Sequence, residues 1–448
     1  MATMTQEFGF HPQESLSPRE QRLARGAQLL RINAIGSGGI AVITLALALL
    51  GVILLGSDLF FIAQDLLLAR HTGPADVGLA IVVLLGLINV SASLVLLVGV
   101  LARELWAPPA LILLILLNGA ALALLGYTPG LLPIASGTWA AAVLLRDLRA
   151  FRINPVMLKE LRGRMRGVRA FLVLSVYLAL MSGFAVLIYL VYSSIGRSGS
   201  SAAAGEVGRV LFMGVFGIEL LLIIFIAPAF TAGAITGERE RQTYDLLRTT
   251  LLSSPSFVIG KLESALGYIL LLLLAAIPLQ SIAFLFGGVS EFELLLSFII
   301  LLTTAVVLGT VGIFFSATMM RTLAASVRAY TAIAMVMFIG PIVFSVLLDI
   351  LIATLFAPGS PVRSPLLEAI MRYLSALLVG VNPIATALST QQLLVERQTL
   401  GFWTFTLTSD GSTIPMVSPW ILYTIIYQAA AALLVVLAVR RARAGDLT

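Results

Sequence analysis

Cysteine is absent from this sequence, histidine occurs only twice, and charged residues make up 11% of the 448 positions. The first absence excludes disulfides, thiol nucleophiles and thiolate metal sites. The two histidines are His11, in a polar N-terminal stretch, and His71, in a loop. They are too few for a zinc protease of the H-E-x-x-H kind, and a membrane serine–histidine dyad would have to use His71, outside the apolar runs. A phosphate-binding loop is missing as well. That loop needs G-x-x-x-x-G-K-[ST], so that backbone amides and a lysine cradle phosphates. The nearest match ends in Gly260-Lys261, with Pro255 in place of the first glycine and Leu262 in place of the hydroxyl. Catalysis and nucleotide hydrolysis are therefore not expected on this chain, and it is read as no enzyme, with no cofactor and no metal site of its own.

The scarcity of charge says more. Soluble domains carry about 25% charged residues. Here 59% of residues are hydrophobic and the mean hydropathy is +1.05, so lipid is the expected solvent. Ten apolar segments stand out: Ile32–Leu55, Val77–Leu101, Pro108–Leu125, Leu131–Leu145, Ala170–Tyr192, Val210–Ala232, Leu262–Phe286, Leu294–Ala317, Ala329–Phe356 and Trp420–Val439. Most are long enough, at about 1.5 Å per residue, to cross a hydrocarbon core of roughly 30 Å. Leu131–Leu145 is the shortest. Ala329–Phe356 is long, and Gly340-Pro341 near its middle predicts a kink or tilt. The first run is too long for a signal-peptide core and is read as an uncleaved span. Bare backbone finds no partners in lipid, and no barrel-like alternation is visible. The expected fold is all-α, a polytopic bundle of about ten spans.

Charge sets the orientation. Alternating the spans from a cytoplasmic N-terminus places 22 of the 28 lysines and arginines inside. Eight of these lie between Arg146 and Arg169. Both termini are expected to be cytoplasmic, and the net charge of +6 reflects topology rather than nucleic-acid binding. A seam near Asp147 separates a tail (1–31) and four spans (32–148) from a six-span block (149–448). That block holds a basic inner segment, 237–261, and a long outer one, 357–419, read as an outer gate or lid. Its stretch Pro365–Val379 has an apolar face able to lie on the membrane or dip into it, and Phe402, Trp403 and Phe405 suit an interfacial belt.

Two inner segments carry the functional signal. In Arg152–Arg169, Asn154 suits a helix N-cap and Pro155 the first helical position. Leu158, Leu161, Met165 and Val168 then share one face, with Lys159, Arg162, Arg166 and Arg169 on the next. This is an amphipathic helix for the membrane interface, its cations near anionic headgroups. The second segment begins with Glu238, Arg239, Glu240 and Arg241, followed by Tyr244, Leu247 and Leu251 at i, i+3 and i+7. A short helix with an apolar ridge and charged flanks is what a groove on a partner protein accepts.

These segments resemble the permease subunits of ABC exporters of the ABC-2 type. NPVMLKEL before a span is one such element. The other is a span running into AGAITGERERQTYDLLRTT, then an S-P-S turn and GK entering the next span. The resemblance covers roughly Arg152 to Arg443 and leaves the four leading spans outside a six-span core. It implies that Arg152–Arg169, with Lys159, Glu160, Arg162 and Arg166, is an elbow helix. It also implies that Glu238–Leu251 is a coupling segment seated on a cytoplasmic ABC ATP-binding subunit, which would hold ATP and magnesium. A second permease copy or a related permease, membrane lipid, and a cell membrane of bacterial type are implied too. No substrate is indicated.

Within the spans, Glu219 and Asp349 are costly in lipid, about 2.5–3.5 kcal/mol on insertion scales. Each is expected to face a helix partner, a cavity or water, or to be protonated. Asn89, Asn118, Gln280 and Gln428 are candidates for interhelical hydrogen bonds. An ion-coupled secondary transporter would rest on Glu219 and Asp349, but the paired, broken repeats common in such proteins are not visible. A non-catalytic membrane protein is the remaining alternative.

Overall fold

The structure, a computed structural model, describes residues 17–50, 66–70, 75–166, 168–195, 201–244, 254–355, 365–399, 401–409, 411 and 413–444. Its apolar runs are helical because only a helix satisfies its own backbone where water is excluded. The first group is α1 (Pro18–Leu50), α2 (Ala75–Ala102), α3 (Ala107–Leu125) and α4 (Leu131–Leu144). Helix α1 packs on α2 and α4, and α3 packs on α4. Leu30, Leu96, Leu111, Ala140 and Leu144 fill the space between them. Asn89 and Asn118 exchange two hydrogen bonds across α2 and α3, at 2.9 and 2.7 Å. The stretch expected as a polar tail is already helical from Pro18. Ser17 and Glu20 each accept a backbone N–H from the other, which starts the helix early.

The second group begins with α5 (Pro155–Met165), α6 (Val168–Ile195), α7 (Ser201–Ala232) and the short α8 (Thr236–Glu240). It continues with α9 (Ser254–Leu285), α10 (Glu291–Thr318), α11 (Thr322–Ile333) and α12 (Gly340–Leu355). Last come α13 (Pro365–Val379), α14 (Pro383–Arg397), the strands β1 (Phe402–Thr406) and β2 (Thr413–Val417), and α15 (Pro419–Ala444). Helix α10 is the axis, touching α7, α9 and α15. Of its most apolar window 61% is buried, against 17% for α6 and 22% for the α11–α12 span, so those two lie at the perimeter. Close approach of α10 to α7 requires Gly312, since a Cβ there would sit 1.9 Å from the Thr231 hydroxyl.

Nine helices among the described residues are long and apolar enough to cross a membrane. They match nine of the ten expected segments one for one; the first, Ile32–Leu55, falls on α1, and its residues beyond Leu50 lie outside the described residues. The short Leu131–Leu145 segment is lengthened by 3₁₀ turns at both ends into Thr128–Arg149. The expected break near Pro341 takes the form of a π-helical stretch, Ala334–Ile339, before α12. Helices α13 and α14 meet at 114° and form a broken span or a re-entrant turn. The bundle is helical throughout its spans, and one small element of another kind is added to it. Strands β1 and β2 form an antiparallel hairpin, pairing Phe402 with Val417 through Thr406 with Thr413. Helix α13 supplies its anchor: Glu368, fully buried, accepts bonds from the Thr408 N–H and hydroxyl and the Ser409 N–H at 2.7–3.1 Å.

Candidate functional site: a charged junction where two distant motifs meet

Helix α5 starts where the sequence predicts. The Asn154 carboxamide oxygen accepts the Val156 N–H at 3.0 Å, and Pro155 needs no partner for a missing N–H. The amide nitrogen of Asn154 then reaches out of the helix. It donates to the Ser256 carbonyl at 2.6 Å and to Glu104 Oε1 at 2.8 Å. Only a glycine at 260 leaves room for it, because a Cβ there would lie 2.6–2.7 Å from the Asn154 carboxamide. The Asn-Pro element and the Ser-Pro-Ser…Gly-Lys element, about a hundred residues apart, thus form one joint.

Beside that joint Lys261, on the first turns of α9, is buried. Its ammonium donates to Glu160 of α5 at 2.6 Å and to Glu238 of α8 at 2.8 Å. A buried ammonium is costly unless its protons are taken up, and two carboxylates take up two of them. One lysine therefore ties three elements. Glu160 turns inward, while Lys159 and Arg162 of the same helix, and Arg166 just past its end, remain exposed.

The α7–α8 turn is fixed from the other side. Ser316 near the end of α10 accepts the Ile235 and Thr236 N–H groups at 2.9 and 3.1 Å. Arg239 donates to the Met319 and Ala317 carbonyls at 2.6 and 3.2 Å, where α10 leaves carbonyls unpaired. Glu240 accepts the Thr322 N–H and hydroxyl at 2.7 and 2.9 Å, at the N-terminus of α11. A cation at one helix end and an anion at the next follow the helix dipoles. The charges expected at a partner's rim are thus engaged within this chain, apart from the exposed Arg241. Tyr244 packs edge-on to Phe257, ring centres 6.0 Å apart, and the Arg239 guanidinium lies over the Tyr244 ring. Leu247 and Leu251 lie outside the described residues.

Helices α1–α4 are joined to this end. The Glu104 turn between α2 and α3 meets Asn154, the Arg152 N–H donates to the Arg103 carbonyl at 3.1 Å, and Trp106 donates to Glu263 Oε1 at 2.8 Å. Arg22 pairs with Asp147 nearby. Burial pushes the Glu104 carboxyl up to about 7; the Glu263 carboxylate adds to the rise, and the Asn154 hydrogen bond opposes it. Sequence reading did not single out Glu104, Asn154's outward bonds, Gly260 or Lys261 as one cluster. The N-P, S-P-S and G-K pairs were the available signal.

The two intramembrane acids part company. Glu219 of α7 is 1% exposed. Its Oε2 accepts from Gln280 of α9, and its Oε1 is buried without a partner. Asp349 is on the uncovered face of α12, among Phe344, Val346, Leu347 and Ile350, each more than half exposed. Comparisons with protein-family models, with curated proteins and with solved structures return no match.

Proposed function

We propose that this chain is the membrane-spanning permease of an ATP-driven exporter and takes its work from a separate ATP-binding subunit seated on the charged end. The observation that supports this most is the Lys261 knot, which ties the α5 helix, the α7–α8 turn and the start of α9 into one unit. A push on the turn is then carried at once to α5, α9 and, through Ser316 and Arg239, to α10. Because Glu238, Arg239 and Glu240 brace the turn from within, the grip on a motor falls to Arg241 and to Leu247 and Leu251. In this reading the basic end and both termini are cytoplasmic, the membrane is the cell membrane, and the uncovered faces of α6 and α12 meet lipid or a second permease copy. Purified from its native membrane, the chain should bring with it a subunit bearing a phosphate-binding loop, and ATP hydrolysis should follow the complex. Recovery of the chain free of any such subunit, under conditions that keep its helices folded, would refute the proposal.

One observation favours an ion-coupled carrier, the buried Glu219–Gln280 pair with its free carboxyl oxygen. Transport by vesicles under an ion gradient without ATP separates the two readings.

A further inference from the structure

Between α7, the π-helical stretch Ala334–Ile339 and the first turns of α14 lies a cavity of about 370 Å³. That is within the range of small-ligand sites. Its wall carries no polar side chain. Met213, Gly217 and Ile224 come from α7, Phe338 from the π-helical stretch and Ala387 from α14. All five keep accessible surface. Leu221, Phe225, Ile384 and Leu388, which complete the wall on the outer side, are 45–57% exposed, so the cavity opens outward between the helices.

The lining elements fix its depth. The α7 residues come from the middle of Ser201–Ala232, and Phe338 is at the middle of the Thr322–Leu355 span. Ile384 to Leu388 follow directly on the 114° bend between α13 and α14. Helices that cross a bilayer have their middles in hydrocarbon, so the mouth meets acyl chains rather than water or headgroups. Tyr330, whose ring centre is 6.4 Å from that of Phe225, spends its hydroxyl on the Phe225 carbonyl at 2.6 Å and has no proton left to offer. An apolar cavity stays dry and takes up apolar guests. Left empty, it would cost its wall the dispersion contacts that close packing gives.

We propose that this cavity is a binding site for one alkyl chain of a membrane lipid, which enters from the hydrocarbon layer between α7 and the π-helical stretch. Gly217 gives the site a direct test. A Cβ at 217 would meet nothing within 4 Å, so a larger side chain there starts in open space and grows into the cavity. Leucine is also a better helix former than glycine.

The full chain is reconstituted in phosphatidylcholine vesicles holding a trace of phosphatidylcholine with a diazirine either near the end of one tail or on the headgroup. After illumination, labelled residues are mapped by mass spectrometry. No ATPase is needed, so failure here leaves the permease reading standing, and the reverse also holds. The tail reagent should label Met213, Ile224 and Phe338 severalfold more than Leu180 and Leu187 on the uncovered face of α6, because a lodged chain stays longer than a passing one. The headgroup reagent should leave the cavity wall unlabelled. Gly217→Leu should lower wall labelling severalfold and leave that of α6 unchanged. Should that variant fail to fold, Ala387→Leu fills the cavity from α14, and the comparison of the two reagents on the parent chain decides by itself. Wall labelling no stronger than that of α6, equal wall labelling by the headgroup reagent, or labelling unchanged in a folded filling variant would overturn the proposal. A wall labelled by neither reagent would overturn it too, and would assign the cavity to a second copy of the chain.

Discussion

Lys261 shows how one residue takes its meaning from its surroundings. In the sequence it is the last residue of a basic segment, with nothing to say which charges it meets. In the fold its ammonium is almost out of water between two carboxylates, each side chain still 22–25% exposed. Removing the cation would leave Glu160 and Glu238 facing one another with less solvent than they need. Breaking a fully buried ion pair costs about 3–5 kcal/mol, and the partial exposure of both acids lowers this to about 2 kcal/mol. Lys261→Met is therefore expected to melt several degrees below the parent chain in detergent, and Lys261→Met with Glu238→Gln to recover part of the loss. Equal melting of parent and single variant would show that the three elements are held by packing alone. Asn154 and Pro155 were legible beforehand because a cap is a local event, decided within three residues. Glu104, Gly260 and Lys261 were not, because their partners are supplied by helices about 20 to 160 residues away.

At the scale of elements, the apolar runs were readable because span length is set by the bilayer. The β1–β2 hairpin was passed over. Its signal was present in the alternation of FWTFT and the turn residues before TIPMV, but the hydropathy of the whole chain outweighed it. The joint between α1–α4 and the core was also invisible, since its contacts join residues far apart in the chain, a buried carboxyl among them. That carboxyl gives the joint a pH dependence. Glu104 titrates near 7 in the folded chain against an ordinary 4.5, so the folded state holds a proton that the unfolded state has released. Its contribution to stability is thus complete below about pH 4.5 and lost as pH rises through about 7. The melting temperature should fall between pH 6 and 8 by more in the parent than in Glu104→Gln, which keeps an acceptor for Asn154 and has no proton to lose. Parallel profiles for the two proteins would contradict this account of the joint.

For the molecule as a whole, composition and hydropathy led to a multi-pass helical protein, and nine helices among the described residues are long and apolar enough to span a membrane. What such spans do is not written in apolar runs, because lipid-facing positions accept any apolar residue. Function has to be sought where polar groups are held against their cost, and the charged end is one such place. There α5, the α7–α8 turn, α9 and α10 are locked together, while Leu247 and Leu251, which the sequence places with Tyr244 on one ridge, lie outside the described residues. If a motor drives this bundle, that ridge is where apolar burial, about 25 cal/mol per Å², can hold it. The most direct measurement is ATP hydrolysis by the purified complex of this chain with its ATP-binding subunit, for the parent chain and for Leu247→Asp/Leu251→Asp. The double variant should insert and melt like the parent yet recover less of the subunit and lose most of the stimulated hydrolysis. Undiminished recovery and hydrolysis would contradict the account and move the docking surface to the exposed Lys159 and Arg162 of α5 and Arg166 at its end.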